Sequence, residues 1–172
     1  MSKSLNLTLS IAIVCAFVGC AEQPSHVSRT SAVPSGRLQK VRTTAYSRCE
    51  KGGHCNALGA SLRGHHVMSA ASDWSRFPLG TRFRIVDTRE EYIIDDYGTA
   101  LVGTNTIDLF KKTRLDMRRW GVRQVDIDIL QWGSEEQSLK VLGPRAKHKC
   151  VRQMILALQK KNSPRVTSRS LD

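Results

Sequence analysis

The sequence predicts a mainly β protein, built around a six-stranded barrel with a short helix and a C-terminal helical extension. Short strand-like segments, each ended by glycine, proline or other turn residues, recur between residues 41 and 134. A single short helical pattern interrupts them, and helical spacing returns only after residue 134. Many short strands with so little helix are typical of a small barrel rather than of alternating strands and helices.

The six predicted strands follow one another through this stretch. Arg82 to Val86 alternates polar and apolar residues, as a half-buried strand does. In the last strand Val125, Ile127 and Ile129 are expected to face the core, while Asp126 and Asp128 face outward. The predicted strands cover residues 41–46, 67–71, 82–86, 91–95, 106–110 and 122–130.

Two helices are predicted. The first follows Thr113 as a candidate N-cap, carries Asp116 in its first turn and stops at Gly121. The second covers residues 150–159, where apolar side chains recur at helical spacing. We expect the second helix to pack on the outside of the barrel through Val151, Met154, Ile155 and Leu158; the alternative is a helix that lies on a membrane surface.

The N-terminus has the features of an export signal. Lys3 precedes an apolar run over residues 5–18 that is too short and too interrupted for a good membrane-spanning helix. The motif FVGC, which ends at Cys20, resembles a bacterial lipobox with Phe17 in place of an aliphatic residue. This resemblance implies cleavage before Cys20 and a lipid on its sulfur; an ordinary signal peptide is the alternative. We therefore expect an exported protein of the periplasm or cell envelope, anchored to a membrane through the lipid.

The chain divides into four predicted segments. Residues 1–19 are the signal peptide, and residues 20–40, rich in serine and proline without apolar periodicity, form a flexible tether. Residues 41–134 form the barrel domain. Residues 135–172 form a basic helix and tail.

The charge balance favours an acidic partner. The chain has 27 Lys and Arg residues against 15 Asp and Glu residues, a net charge of +12. Such an excess suits nucleic acid, anionic lipid headgroups or a carboxylate-bearing cell-wall polymer. Aromatic residues make up only 6% of the chain and are not interleaved with the basic ones, unlike in single-strand nucleic-acid binders. We therefore expect no nucleic-acid partner, and a monomer.

Three cysteines remain after Cys20. In an exported protein Cys49 and Cys55 could close a small disulfide loop, which leaves Cys150 unassigned; free thiols are the alternative. Cys49, His54 and Cys55 lie close together, but their spacing matches no common structural zinc pattern. We therefore expect neither a metal nor another cofactor.

Acidic residues stand out at the ends of three strand-like segments: Asp73, the pair Asp95 and Asp96, and Asp108. An acid between two aliphatic residues, as in TIDLF, is poorly suited both to a strand and to a core. Asp108 is therefore either paired or held in a cleft where a perturbed carboxyl could transfer protons. The alternative is structural: these acids would cap turns, or pair with an arginine such as Arg82 or Arg123.

Five ordered fragments resemble the 3D (three-aspartate) domain, found in membrane-bound lytic transglycosylase A and related cell-wall proteins of the rare lipoprotein A-like superfamily. They cover more than half of the chain, in the order and near the spacing of that domain. The resemblance implies a double-psi β-barrel. The fragments are TAYS (44–47), NALGASLRG (56–64), SAASDWSRFPLGT (69–81), IDDYGTALVGTNTIDLF (94–110) and WGVRQVDIDIL (120–130).

The resemblance also assigns roles to the acids. The three aspartates of the domain fall on Asp73, Asp96 and Asp108, and all three are expected in the cleft, with Asp108 as the catalytic acid. Two residues depart from the pattern. Asp95 adds an acid beside the second position, and Tyr97 stands where the domain usually has a small residue.

The implied activity is lytic cleavage of the MurNAc–GlcNAc β-1,4 bond of peptidoglycan glycan strands, with a 1,6-anhydro product. Asp108 would protonate the bridging oxygen and then accept the proton of the C6 hydroxyl, so its pKa must lie well above the usual value of about 3.9. Apolar neighbours and the charges of Asp96 and Asp73 would raise it. A non-catalytic peptidoglycan-binding module is the alternative, and a basic adaptor for nucleic acid or anionic lipid is a third interpretation.

Four further side chains are candidates for substrate binding. Aromatic rings stack on sugars, and arginine donates hydrogen bonds to their oxygens. Each candidate is equally compatible with packing in the barrel. They are Tyr46, Trp74, Tyr97 and Arg63.

Overall fold

The computed structural model describes residues 35–49 and 54–163. The predictions of a signal peptide at residues 1–19 and of lipidation at Cys20, and the last nine residues of the predicted basic tail, lie outside the described residues. In the described part of the chain, no helix combines the length and the apolar character needed to cross a bilayer.

Seven strands and three helices make up the described chain, with single 3₁₀ turns at Thr99–Leu101 and Gly143–Arg145. The strands are β1 (Gly36–Tyr46), β2 (Gly64–His65), β3 (Val67–Ala71), β4 (Arg82–Ile85), β5 (Glu91–Asp96), β6 (Ile107–Phe110) and β7 (Arg123–Gln131). The helices are α1 (Arg114–Trp120), α2 (Glu135–Leu142) and α3 (Lys149–Asn162).

Six of the strands close into a barrel. Their order is β3-β5-β4-β7-β1-β6, and β6 pairs again with β3 to complete the ring. The pairs β1–β6 and β3–β5 are parallel, while the other pairs are antiparallel. The prediction of a mainly β, six-stranded double-psi barrel with a short helix and a helical C-terminal extension is confirmed, as a closed barrel of mixed strand direction.

The barrel interior is apolar because every strand turns alternate side chains inward. The inward positions predicted in the last strand are confirmed, and burying each large apolar side chain contributes about 1.5–3 kcal/mol. The interior residues are Val41, Ala70, Phe83, Ile85, Tyr92, Ile94, Ile107, Leu109, Val125, Ile127 and Ile129.

The first strand begins earlier than expected, at Gly36 rather than at Val41. Arg37 pairs with Asp128 of β7, with Nε 2.8 Å from Oδ1. A register shift between Leu38 and Val41 then interrupts the ladder. A bulge breaks the two-residue alternation of inward and outward side chains. The first half of β1 therefore has no alternating sequence pattern from which a strand could be predicted. The predicted tether is therefore wrong over its last five residues, 36–40.

The first helix is as predicted. The hydroxyl of Thr113 accepts a hydrogen bond from the backbone N–H of Asp116 at 3.0 Å, and Gly121 ends the helix with a φ of 61°. These are the N-cap and C-terminal features that the sequence indicated. The ring of Trp120, at the end of this helix, is buried and donates to Thr43 on β1.

The C-terminal helix α3 packs against the barrel, as expected. Val151, Met154 and Leu158 are buried in the same core as the strands, while Ile155 packs partly against it. Helix α2 was not predicted. Its signal is the stretch SEEQ, in which the Ser134 hydroxyl caps the helix.

Candidate active-site groove

Register across four neighbouring strands brings two acids onto one outer face of the barrel. Thr44 of β1 lies opposite Asp108 of β6, Asp108 opposite Ala71 of β3, and Ala71 opposite Asp96 of β5. Residues directly opposite each other share one face of a sheet. Strands lie about 4.8 Å apart, so the backbones of Asp96 and Asp108 are about 10 Å apart, with the small side chain of Ala71 between them.

A bulge in β5 decides which of the two adjacent acids faces this row. Ala70 pairs with Ile94 but Ala71 pairs with Asp96, so Asp95 is the extra residue. The carboxylate of Asp95 is buried, where its Oδ2 accepts from Asn56 Nδ2 at 3.0 Å and from Ser69 Oγ at 2.8 Å. Asp95 therefore anchors Asn56, and Asp96 is the acid of the pair that lies in the groove.

The row lies in a groove with a volume of about 910 Å³. Residues 55–57 form one wall and residues 97–101 form another. Asn56 shapes the first wall, because its side-chain oxygen accepts from the backbone N–H groups of Leu58 and Ala60. Arg42, Thr44 and Tyr46 of β1 complete the lining, as alternate residues on one face of a strand.

Asp108 is half-buried, and its Oδ1 accepts a short hydrogen bond of 2.6 Å from the Thr44 hydroxyl. Two arginines were considered as partners for it. Arg82 pairs with Glu91, and Arg123 donates to the carbonyl of Trp120. Both arginines therefore have partners other than Asp108.

Asp96 has a perturbed carboxyl. Burial raises its pKa to about 6, and the neighbouring charge of Asp95 acts in the same direction. The hydrogen bond from the backbone N–H of Tyr97 opposes the rise. The Tyr97 N–H donates to Oδ1 at 2.9 Å. Asp96 therefore changes its charge near neutral pH.

Asp73 lies elsewhere, and the prediction that it belongs to the cleft is wrong. It is buried, and its Oδ1 accepts from the backbone N–H and the hydroxyl of Ser75 at 2.8 and 2.7 Å. Its Oδ2 accepts from the backbone N–H of Gly103 at 2.7 Å. The carboxylate ties its own turn to the loop before β6, so its role is structural.

Two of the predicted aromatic contacts lie in the groove and one does not. Tyr46 and Tyr97 both line it. Trp74 is fully buried, so the prediction that its ring binds a sugar is wrong. Its Nε1 donates to the carbonyl of Asp96 at 2.8 Å, and its ring meets that of Tyr97 edge to face at 5.1 Å. Trp74 therefore supports the groove from beneath.

Arg63 does not line the groove, and its contact with a sugar stays a prediction. Its side chain is 57% exposed, with Nε 3.9 Å from Oδ2 of Asp95. It belongs to a neighbouring concavity that it shares with Arg48 and Lys112. The loop that ends at Gly64 turns this side chain outward, which the sequence does not show.

Sequence reasoning missed two residues of the row across the four strands. Thr44 lies within the fragment TAYS, and its hydroxyl holds the carboxyl of Asp108. Ala71 ends a run of small residues, and its size leaves the space between the two acids open. Both become recognisable only when strand register is known, because their partners lie far away in sequence.

The three cysteines within the described residues form no disulfide. Cys49 and Cys55 are exposed free thiols, and Cys150 is a half-buried one whose sulfur is 3.6 Å from the Thr99 hydroxyl. Within residues 35–49 and 54–163, no three His, Cys, Asp or Glu side chains are grouped so that they could hold a metal ion.

The arrangement provides two carboxyls in one groove, in different environments. The Asp108 carboxyl is oriented by the Thr44 hydroxyl. The Asp96 carboxyl accepts from the backbone N–H of Tyr97, and its pKa is raised. Such pairs divide acid and base roles in enzymes that transfer protons. Comparison with known proteins adds no further assignment, because no family model and no curated protein matches this chain.

Proposed function

We propose that this protein is a peptidoglycan lytic transglycosylase, which cleaves the β-1,4 bond between MurNAc and GlcNAc and leaves a 1,6-anhydro-muramyl end. The observation that carries the proposal is the row of Thr44, Asp108, Ala71 and Asp96 across four strands within one groove. The resemblance of the ordered fragments to the 3D domain supplies the substrate class.

The reaction requires only one carboxyl that both gives and takes a proton. Protonated Asp108 donates its proton to the bridging oxygen while the bond from that oxygen to C1 of the muramic sugar breaks. The C6 hydroxyl oxygen of the same sugar then attacks C1, and its proton passes to Asp108. Atoms balance without water, whereas a hydrolase needs a second carboxyl to activate water or to attack the sugar.

The other members of the row have supporting roles in this mechanism. The Thr44 hydroxyl fixes the rotation of the Asp108 carboxyl. Asp96, once ionised, stabilises the positive charge that develops at C1, because a fixed negative charge in a partly buried groove acts strongly. Ala71 leaves room for the sugar between the two acids. Tyr97 forms part of the wall.

A peptidoglycan-binding module without turnover is the second candidate. One observation favours it: Tyr97 stands in the groove where the 3D domain usually has a small residue, and a larger wall could hold a glycan in an unreactive position. Under this alternative the groove and its tyrosines bind a strand, and no bond is cleaved.

Digestion of purified sacculi separates the two candidates. We expect the exported form of the protein to release anhydro-muropeptides, detected by mass spectrometry, and the Asp108→Asn variant to release none. Asp87→Asn, which changes an exposed acid away from the groove, is the matched control and should digest like the parent. Binding to sacculi without products supports the module, and neither binding nor products contradicts both candidates.

A further inference from the structure

A second concavity adjoins the groove, and we call it the basic cleft. Its volume is about 810 Å³, and it shares Arg42 with the groove. Four basic side chains line it, and no acidic residue of the described chain does. They are Lys40, Arg42, Arg76 and Lys161.

The two arginines of the basic cleft are oriented by uncharged side chains. Nη1 of Arg42 donates to the Thr106 hydroxyl at 3.1 Å, and Nη1 of Arg76 donates to the Asn105 side-chain oxygen at 3.2 Å. Both acceptors are uncharged, so these bonds orient the guanidinium groups. Arg42 also borders the groove that holds Asp96 and Asp108, whereas Arg76 lines the basic cleft but not that groove. Lys161 differs, because it pairs with Glu135 at 2.9 Å.

An aromatic platform forms another part of the wall. The ring of Trp132 is 48% exposed and stacks on that of Phe77, with centroids 6.4 Å apart and planes 10° apart. Phe77 is buried, so it fixes the tryptophan ring from one side. The other two tryptophans of the chain, Trp74 and Trp120, are buried. An exposed, supported indole beside fixed cations is suited to a ligand that carries both apolar and anionic groups.

We propose that the basic cleft binds the carboxylate-bearing peptide stem of the wall polymer whose glycan occupies the groove. This inference rests on the proposed function. The stem is attached to the muramic sugar, whose C1 reacts at Asp108, so it must leave the groove nearby. Arg42 is two residues before Thr44 on β1, about 7 Å along the strand from the position opposite Asp108.

The charges favour a peptide stem over a second neutral sugar as the ligand. Guanidinium groups bind carboxylates through paired, charge-assisted hydrogen bonds, which a sugar hydroxyl does not match. A stem that extends from the groove past Arg42 enters the cleft that Arg76 and Trp132 line. The basic cleft would thereby fix which sugar of the strand is presented to Asp108.

A fluorescence titration tests this inference. Because Trp132 is exposed, a free stem peptide with ionised carboxylates should shift its emission saturably, and Trp132→Phe should remove that response. We expect the affinity of the peptide to fall at least about tenfold in Arg76→Gln, since the neutral amide cannot form the charge-assisted hydrogen bonds of the guanidinium. Lys147→Gln, an exposed basic residue outside the basic cleft, is the matched control and should bind as the parent does.

The same peptide with amidated carboxyls provides the contradicting outcome. Equal binding of the amidated and ionised peptides, or unchanged binding in Arg76→Gln, would overturn the inference. The readout is independent of turnover, so the two proposals fail separately. Peptide binding without anhydro products would support the proposed role of the basic cleft and contradict the proposed enzyme activity. Products without peptide binding would contradict only the role of the basic cleft.

Discussion

Among single residues, Asp96 links the chemistry of the groove to the stability of the fold. Burial raises its pKa from the ordinary value of 3.8 to about 6. Between these two values the unfolded chain has lost its proton while the folded chain still holds it. The free energy of unfolding therefore falls as pH rises through this window, and it stays lower above about pH 6. The groove keeps an acid there at a cost to stability.

We predict that Asp96→Asn stabilises the protein at neutral pH. The full pKa difference corresponds to about 3 kcal/mol, so the gain should approach this value above pH 6 and vanish below pH 4. Chemical denaturation of parent and variant between pH 4 and pH 7.5 measures the difference. The exposed-acid variant Asp87→Asn should show no such trend, and a constant difference between Asp96→Asn and the parent would refute the role of burial.

Thr44 provides a test of positioning. We predict that Thr44→Val lowers kcat/KM about tenfold or more, because the valine cannot donate to Oδ1 of Asp108 at 2.6 Å. Thr44→Ser keeps the hydroxyl and should retain most of the activity. Rates on a soluble glycan strand, together with the pH profile, check this. Equal loss in both variants, without a change in the pH profile, would mean that the residue matters only for packing.

The acids show how far residue-level reasoning reaches from sequence. Strand ends and turns identified Asp96 and Asp108, and both lie in the groove. The same signals mark Asp73, whose oxygens are occupied by Ser75 and Gly103. A turn-capping aspartate and a cleft aspartate have the same sequence context. They differ in which backbone N–H groups lie nearby, and that depends on the folded chain.

For the secondary-structure elements, strand periodicity was the most informative signal. The strands β3 to β7 begin and end within a residue of the predicted bounds. Apolar and polar residues alternate regularly in a strand with one buried face, so such strands can be predicted from the sequence. The first half of β1 and the placement of Asp95 both depend on bulges, which break that alternation. Bulges are therefore the features that the sequence concealed.

The turn between β7 and α2 depends on a close backbone contact. A Cβ atom added at Gly133 would lie 2.3 Å from the carbonyl oxygen of Leu79 and 2.4 Å from that of Pro78. The Leu79 N–H donates to the Ser138 hydroxyl of α2, and this hydrogen bond joins the helix to the turn before β4. Only glycine fits here, which explains why the C-terminal extension begins where it does.

Helix α3 offers a matched pair of substitutions. We predict that Leu158→Ala lowers the free energy of unfolding by about 2–5 kcal/mol, because this side chain is fully buried against the barrel core. Leu156→Ala changes the same residue type on the exposed face, where it is 64% accessible, and should change stability by less than about 0.5 kcal/mol. Denaturant titration measures both. Similar effects of the two variants would contradict packing of α3 on the barrel.

For the whole molecule, the charge of +12 favours association with an acidic polymer such as the cell wall. We predict that retention on sacculi weakens as salt rises from about 50 to 500 mM, since exposed charges are screened within a few ångströms at the higher value. Co-sedimentation measures it. Digestion in the same samples should require Asp108, whereas a basic adaptor would bind nucleic acid or anionic lipid as well as it binds sacculi and would release nothing.

Digestion of sacculi in ¹⁸O-labelled water tests the central claim most directly. If one carboxyl at Asp108 gives and then takes a proton while the C6 hydroxyl attacks, the released muramyl ends contain no label and are lighter by one water than a hydrolytic product. We predict that result for the parent and no product for Asp108→Asn. Label at the reducing end would show that water attacks the sugar, and undiminished release by Asp108→Asn would show that the proton comes from another residue.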